Sequence, residues 1–489
     1  MQDNPKSISS KIDYLFGWVF LLSVGFIILN SCRKDNTIDT SPGFRLSFSN
    51  DTILFDTVFT TRGSVTKQLH VYNRSNKAVI ISSVRLAGGQ ASPFKLNIDG
   101  RSSLSVSDLE LKANDSLFIF VRVTIDPNNI NTPLVQSDSV LFTVNGQQQD
   151  VKLLAWGQDA YFYANTTIKS NYTFTNDKPH VIYGQLIIDS LFTLTVQPGA
   201  KIYLHKDARL LISRDATLKV NGTLNNPVVF RGDRLEHDYD TVPGQWGRIW
   251  LCAGSRNNEI NYAEIRNAQI GLMVEAGGHT TEPVLRLSNT RISNATYYGL
   301  LARGARIQAV NCVFDGAGGN AIALNNGGDY DLRHCSVGNY WMLSARRTPS
   351  LSVSNYYLDD KGLSHVQDLS MAYFGNCIFY GEMEEEISLQ KKTGAAFNVV
   401  FENCLLRTKL AAGAPAVFTS CIRNKEPKFK NLEKYFHNLE LDTLSPAKDA
   451  GSRQIITGAF RDITLDIKGV SRIVDAGPDM GAFERVEPW

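Results

Sequence analysis

Asn261-Tyr-Ala-Glu-Ile265-Arg-Asn-Ala and Asn289-Thr-Arg-Ile292-Ser-Asn-Ala open a phrase that continues as Asn311-Cys-Val-Phe314, His334-Cys-Ser-Val337, Asn376-Cys-Ile-Phe379 and Asn403-Cys-Leu-Leu406. The apolar positions Ile265, Ile292, Phe314, Val337, Phe379 and Leu406 stand 27, 22, 23, 42 and 27 residues apart. Short alternating runs repeated at 20 to 30 residues are the mark of a solenoid, because one such unit cannot bury its apolar face alone. Gly and Asn at the ends of each run supply corners, and helical spacing is absent. The expected structure is a right-handed parallel β-helix of roughly ten coils. In it the Asn, Cys and aliphatic positions stack in ladders about 4.8 Å apart. The 42-residue interval is then one coil with an insertion, or two coils of which one has lost the phrase.

The chain has 489 residues, 43% hydrophobic and 20% charged, with a net charge of +2. That length accommodates two or three domains. The near-neutral balance and the lack of a Lys/Arg stripe argue against nucleic acid as a partner. Lys6 and Lys11 precede the apolar run Tyr14 to Leu29, which stops at Leu29-Asn-Ser-Cys32. Residues 1–32 therefore read as a targeting segment, too short for a comfortable membrane span.

Residues 33–43 have the composition of a tether, and residues 44–157 carry regularly spaced alternating runs that predict a β-sandwich. Residues 158–424 form the β-helix and residues 425–489 a cap over its last strands. Without Cys32 six cysteines remain, and Cys312, Cys335, Cys377 and Cys404 share one position of the phrase. Parallel side-chain vectors at that position disfavour disulfides, so these read as stacked free thiols.

Several stretches resemble known families. Leu29-Asn-Ser-Cys32 resembles a lipobox, which implies a lipid on Cys32 and, through it, a membrane partner. Val71 to Ile81 with Phe118 to Pro127 and Val140 to Leu154 is similar to bacterial immunoglobulin-like modules. Pro198-Gly-Ala, Gly222-Thr-Leu and Gly244-Gln-Trp246-Gly-Arg-Ile resemble the opening coils of bacterial right-handed β-helix proteins, a pectate-lyase-like architecture. Leu444-Ser-Pro-Ala-Lys-Asp-Ala-Gly451 and Gly477-Pro-Asp-Met-Gly-Ala-Phe-Glu484 are similar to the C-terminal region of the choice-of-anchor Q group of surface proteins. Together these resemblances imply an all-β, lipid-anchored outer-membrane protein of a Gram-negative bacterium, facing the periplasm or the cell surface. They imply no particular activity. Seven Asp-Ser/Thr-aliphatic triplets, among them Asp189-Ser-Leu and Asp442-Thr-Leu, resemble an O-glycosylation acceptor and equally fit the starts of strands.

Three stretches carry candidate chemistry. Residues 339–368 contain Trp341, Arg346, Arg347, Tyr356 and Tyr357, which suit sugar stacking and the holding of carboxylate or sulfate. The alternative is a loop whose aromatics pack on the solenoid. His237-Asp-Tyr239-Asp with Arg248 offers a base and a cation to a polysaccharide lyase, while Asp238 and Asp240 are Ca²⁺ candidates; a connecting loop is the plainer reading. Asn325-Asn-Gly-Gly-Asp329-Tyr-Asp331 is an oxygen-rich turn of the kind that holds Ca²⁺, or a simple corner. Glu382 to Glu386 reads as a solvated loop. The favoured function is non-catalytic, either glycan binding or a structural role with a surface-protein partner; the alternative is a lyase or glycoside hydrolase working along the β-helix face.

Overall fold

A computed structural model describes residues 37–486 apart from 60–62, 65, 126–133, 277–281, 360, 412, 434–436 and 475. The targeting segment and Cys32 lie outside the described residues, as does Asp360. The chain divides into two compact units at Gly157/Gln158, with residues 127–133 counted with the second.

In the first unit, strands Ser47–Phe48, Lys67–Tyr72, Ser116–Val123, Phe94–Ile98 and Arg101–Ser102 form one sheet. Thr52–Phe59, Gln147–Gln158, Leu134–Val144, Val79–Leu86 and Ser105–Leu111 form the other. Alternation decides what goes inside: Ile119, Val121 and Val123 are fully buried, while Phe118 and Phe120, which alternate with them, face out. Phe55, Phe94 and Phe142 are among the largest side chains of the core so formed.

The second unit is a parallel β-helix. Ten strands, one from each coil, make one face, running from Tyr172–Phe174 to Val417–Thr419. An eighteen-stranded sheet bends to make two more. Inward positions stack across coils, as in Leu210, Ile249, Leu272, Leu300, Ile322 and Leu351, all with no exposed surface. Each such side chain contributes about 2 kcal/mol of apolar burial.

The corner between two faces explains the repeated phrase. Tyr262, Asn289, Asn311, His334, Asn376, Asn403 and Ser420 have φ of 45°, 48°, 53°, 50°, 51°, 49° and 50°. This left-handed conformation is costly for most residues, but Asn tolerates it because its short amide bonds locally. The amides also bond up the stack: Asn311 Nδ2 donates to Asn289 Oδ1 at 3.1 Å, and Asn289 Nδ2 to Asn261 Oδ1 at 2.9 Å. A second ladder joins Asn294 Nδ2 to Asn267 Oδ1 at 2.8 Å. Gly222 meets a related demand, since a Cβ there would sit 2.0 Å from the Tyr262 carbonyl. The phrase places Cys312, Cys335, Cys377 and Cys404 inside as free thiols, and Cys421 extends the column.

Ser336 and Val337 pair directly with Ile378 and Phe379, so the long interval is one coil with an insertion. The C-terminal region departs from expectation, because it runs back along the side of the solenoid. Phe429, Leu439, Met480 and Phe483 pack on Val313, Ile378, Tyr380 and Leu405, outward positions on three coils that would otherwise be exposed apolar surface. Gly338 lets Leu439 approach, for a Cβ would meet its Cδ2 at 2.6 Å. The phrase ending in Glu484 folds on itself. Glu484 accepts from the Asp479 N–H and from Arg472, whose fully buried guanidinium also donates to Asn311 Oδ1 at 3.0 Å.

Asn403→Gly should change stability by no more than about 1 kcal/mol, whereas Asn403→Val, β-branched at positive φ, should cost roughly 1–3 kcal/mol in urea unfolding. A pH dependence follows from two buried histidines. Burial lowers His180 to about 4, with its ring stacked 4.0 Å from Phe174. His334 is also held well below the usual range, first by burial and then by Arg472. Below about pH 6.5 the unfolded chain takes up protons that the folded chain refuses. Their contribution is therefore full above that pH and is lost on acidification, by up to about 1.4 kcal/mol per pH unit for each histidine down to its folded value. Urea midpoints at pH 7, 6 and 5 should fall accordingly, and His334→Asn should flatten the slope.

Candidate functional site

A groove of about 1060 Å³ lies on the outer side of the eighteen-stranded sheet. Its floor is built from outward positions of successive coils. One ladder runs Trp250, Met273, Leu301, Ala323, Ser352 and Ser388. A neighbouring one runs Glu275, Arg303 and Asn325. The small residues Ser352 and Ser388 leave the floor low, while Ser354, Gln390 and Asn325 supply hydroxyl and amide groups along it. One wall is the hairpin Tyr356–Leu358 and Ser364–Val366, which the insertion adds to its coil. Thr348, Pro349 and Asn320 contribute further lining, with Asn320 Nδ2 donating to the Pro349 carbonyl at 2.7 Å.

The hairpin is held from within. Tyr357 stacks on His365 at 4.9 Å, and His365 Nε2 lies 2.9 Å from Asp359 Oδ2. The Asp359 carboxylate also accepts the N–H groups of Lys361 and Leu363, closing the turn. These bonds, that of His365 first, hold its carboxyl below the ordinary range. Tyr356 reaches the floor, where its hydroxyl donates to Gln390 Oε1 at 3.3 Å, and the Lys392 ammonium lies 4.7 Å from the centre of its ring.

The residues singled out in 339–368 separate into two groups. Tyr356 and Tyr357 line the groove, and Arg347 stands exposed. Arg346 differs from the expected ligand contact, because its side chain is enclosed and bound to Glu386. Glu386 is equally enclosed, a correction to the solvated acidic loop. A charge can be buried there because every oxygen is satisfied. Glu386 Oε2 accepts from Arg346 Nη1 at 2.8 Å, Ser350 N at 2.8 Å and Ser350 Oγ at 2.6 Å; Oε1 accepts from Arg346 Nη2 and from Met383 N at 2.9 Å. Trp341 is 8% exposed, lies against Gly318 and donates through Nε1 to Ser344 Oγ at 3.1 Å, a packing position.

The other candidates do not converge. Tyr239 carries the Arg234 guanidinium 3.8 Å over its ring, and its carbonyl accepts from Gln245. Arg248 faces outward onto Met273 and Trp250 and shares none of these contacts. Asp240 pairs with Arg231 at 2.8 Å. Asp329 and Asp331 point out of one strand on the same side, but Arg306 and Arg333 pair with them at 3.2 and 2.9 Å. Among the described residues no group of three His, Cys, Asp or Glu side chains gathers to hold a metal ion. Of the Asp-Ser/Thr-aliphatic triplets, Asp189-Ser-Leu191 and Asp442-Thr-Leu444 stand at the surface, each Leu 71% exposed, whereas Ile53, Leu117 and Val140 are buried in strands.

The sequence reading missed Tyr298, Ser352, Ser388 and Gln390, which sit on strands following the recognised corner, and read Asn325 as part of an oxygen-rich turn rather than of this groove. The signal for them is the register continued across the insertion, visible only once residues 351–354 pair with 322–325 and 387–390.

Residues 166–292 match the family model for a pectate-lyase like beta helix domain. No curated protein matches the chain. Among solved structures it is similar to a family 123 glycoside hydrolase from Clostridium perfringens, described for glycolipid glycan hydrolysis, at 8% identity over 25% of this chain and 30% of that one, with a TM-score of 0.18. A protein of unknown function from Porphyromonas gingivalis W83 is 14% identical over 26% of this chain and 60% of the other, with a TM-score of 0.17. A PapD-like domain of human CEP192 is 13% identical over 26% of this chain and 91% of that one, also with a TM-score of 0.17. The chain thus spans less than two thirds of the length of the first two.

Glu386→Gln should cost roughly 3 kcal/mol, since it leaves the enclosed Arg346 charge with only the partly exposed Glu382, 3.4 Å from its Nε. Limited proteolysis at the exposed residues 342–345 should quicken in the variant, whereas Glu384→Gln on the surface should change neither readout.

Proposed function

We propose that this chain is a lipid-anchored cell-envelope protein whose β-helix holds an extended glycan in the groove beside the Tyr356–Leu358 hairpin, without cleaving it. The observation that carries this reading is the lining: two hairpin tyrosines facing a floor of Ser352, Ser388, Asn325 and Gln390. Phenol rings stack on sugar faces, and hydroxyl and amide groups exchange hydrogen bonds with sugar hydroxyls without a charge cost. The match of residues 166–292 to a pectate-lyase like domain supports a carbohydrate-related role. Retention rather than cleavage is favoured because the carboxylates lining the groove are engaged, Glu275 with Arg303 at 3.5 Å and Asp359 with His365 at 2.9 Å. A hydrolase needs two carboxyl groups free to face the same bond.

In this reading the Cys32 lipid anchors the chain in the outer membrane of a Gram-negative cell, the first unit is an immunoglobulin-like spacer, and the C-terminal region is of the choice-of-anchor Q type. Leu29-Asn-Ser-Cys32 and the Gly477 to Glu484 phrase support it.

The full chain in detergent should be retarded on affinity gels carrying its glycan, within a panel of neutral and acidic polysaccharides. The double variant Tyr356→Ala, Tyr357→Ala should bind at least about tenfold more weakly with little change in melting temperature, as expected for the loss of two stacking rings. New ultraviolet absorbance from unsaturated products, or new reducing ends, would replace this reading with a lyase or hydrolase. Silence throughout the panel would favour a protein partner or a structural role.

A further inference from the structure

The floor ladders continue beyond the groove toward the N-terminal coils, and there their chemistry changes. Arg209 and Arg248 occupy directly paired positions on adjacent strands, and the same ladder runs on through Ile270 to Tyr298 at the groove. Like charges in register repel. Among the described residues no carboxylate pairs with either arginine to offset this repulsion, and Arg248 Nη1 rests instead 3.3 Å from the Met273 sulfur. Burial, with added like charge from Arg209 and Arg303, holds the Arg248 guanidinium below the ordinary arginine range. Two further donors beside it, Arg248 Nε and the indole Nε1 of Trp250, are buried and meet no protein acceptor. Unmet buried donors cost more than a hydrogen bond gains, so this corner of the face is built at a loss.

We propose that Arg209, Arg248 and Trp250 form an anion subsite for a carboxylate or sulfate group carried by the bound glycan, which makes the ligand an acidic polysaccharide; this rests on the glycan reading of the groove. Arg248 and Tyr298 are two strands apart, about 10 Å along the solenoid, so one extended chain reaches both. Arg248 and Arg209 bring paired positive charge to the anion, with the Trp250 ring 5.8 Å from the Arg248 guanidinium beside them. Arg303 has its own carboxylate in Glu275 and acts as the border between the charged end and the neutral groove. Three other charged clusters among the described residues are internally matched: Asp329 and Asp331 with Arg306 and Arg333, Lys219 with Glu259, and Glu440 with Lys430 and Lys468.

The test compares the full chain with Arg248→Met, which keeps the side chain's length and packing while removing the donors, and with the Tyr356→Ala, Tyr357→Ala variant. Each is titrated with sulfated, uronate-bearing and neutral oligosaccharides at 50 and 300 mM salt. The unaltered protein should bind the acidic ligands at least about tenfold more tightly than neutral ones, with the advantage shrinking in salt. Arg248→Met should abolish that preference, and the tyrosine variant should weaken both classes alike. Equal binding of acidic and neutral chains, or a preference that survives Arg248→Met, would overturn the subsite while leaving the glycan reading intact. If no oligosaccharide binds, the glycan reading fails and inorganic sulfate decides the subsite alone. Sulfate that raises the melting temperature of the unaltered protein more than that of Arg248→Met upholds an anion site, and equal shifts overturn it.

Discussion

The left-handed corner that recurs from Tyr262 to Ser420 is the constraint on which the rest of the solenoid depends. Seven residues one coil apart hold φ between 45° and 53°, so the chain turns through the same angle at the same place on each circuit. Because the turn repeats, the strands behind it fall into register, and register sends Leu272, Leu300 and Ile322 inward while Met273, Leu301 and Ala323 face out. A residue unable to sit at positive φ would break the corner, and a one-residue slip would reverse every side chain after it. The stacked amides add to this, since each corner bonds to the next and the polar atoms of a tight bend are satisfied without water.

Regularity on the inside frees the outside. An inward position must be apolar and of a fitting size, but an outward position answers only to its neighbours on the same face. Three outer faces have been used in three ways. One is covered by the returning C-terminal segment, which buries Val313, Ile378 and Leu405 and is pinned by Arg472, Glu484 and Asn311. The ten-stranded face carries matched ion pairs such as Arg306 with Asp329. The third changes along its length, from arginine and tryptophan, through Met273 and Leu301, to serine, asparagine and tyrosine. A gradient of this kind on a straight, strand-built surface suits a long ligand with more than one chemical character.

The insertion that walls the groove shows why a charge's presence in sequence says little about its use. Arg346 and Arg347 are adjacent, yet one is enclosed and the other exposed. Arg346 is spent on Glu386, forty residues away, and that pair with its Ser350 and Met383 bonds fixes the start of the insertion against the next coil. The precise hold on one side leaves Tyr356 and Tyr357 presented on the other. Structural and groove-facing positions thus divide within a single loop, and burial rather than residue type decides between them.

The sequence by itself determined the repeat, the inward ladder, the free cysteine column and the single-coil period, because each rests on a local property. Tolerance of positive φ belongs to Asn at its own position, and alternation belongs to the strand it lies in. Tyr356 and Tyr357 were legible as candidates for the same reason, as aromatics in a polar insertion. What only the tertiary structure decided is which outward residues meet: Tyr298 with Ser352 and Gln390, Arg209 with Arg248, Glu386 with Arg346, and the C-terminal segment with the flank of the solenoid. Those contacts join residues separated by an insertion or by many coils. The physical reason is that pairing across such distances is set by the summed register of all intervening coils, a quantity no local window contains.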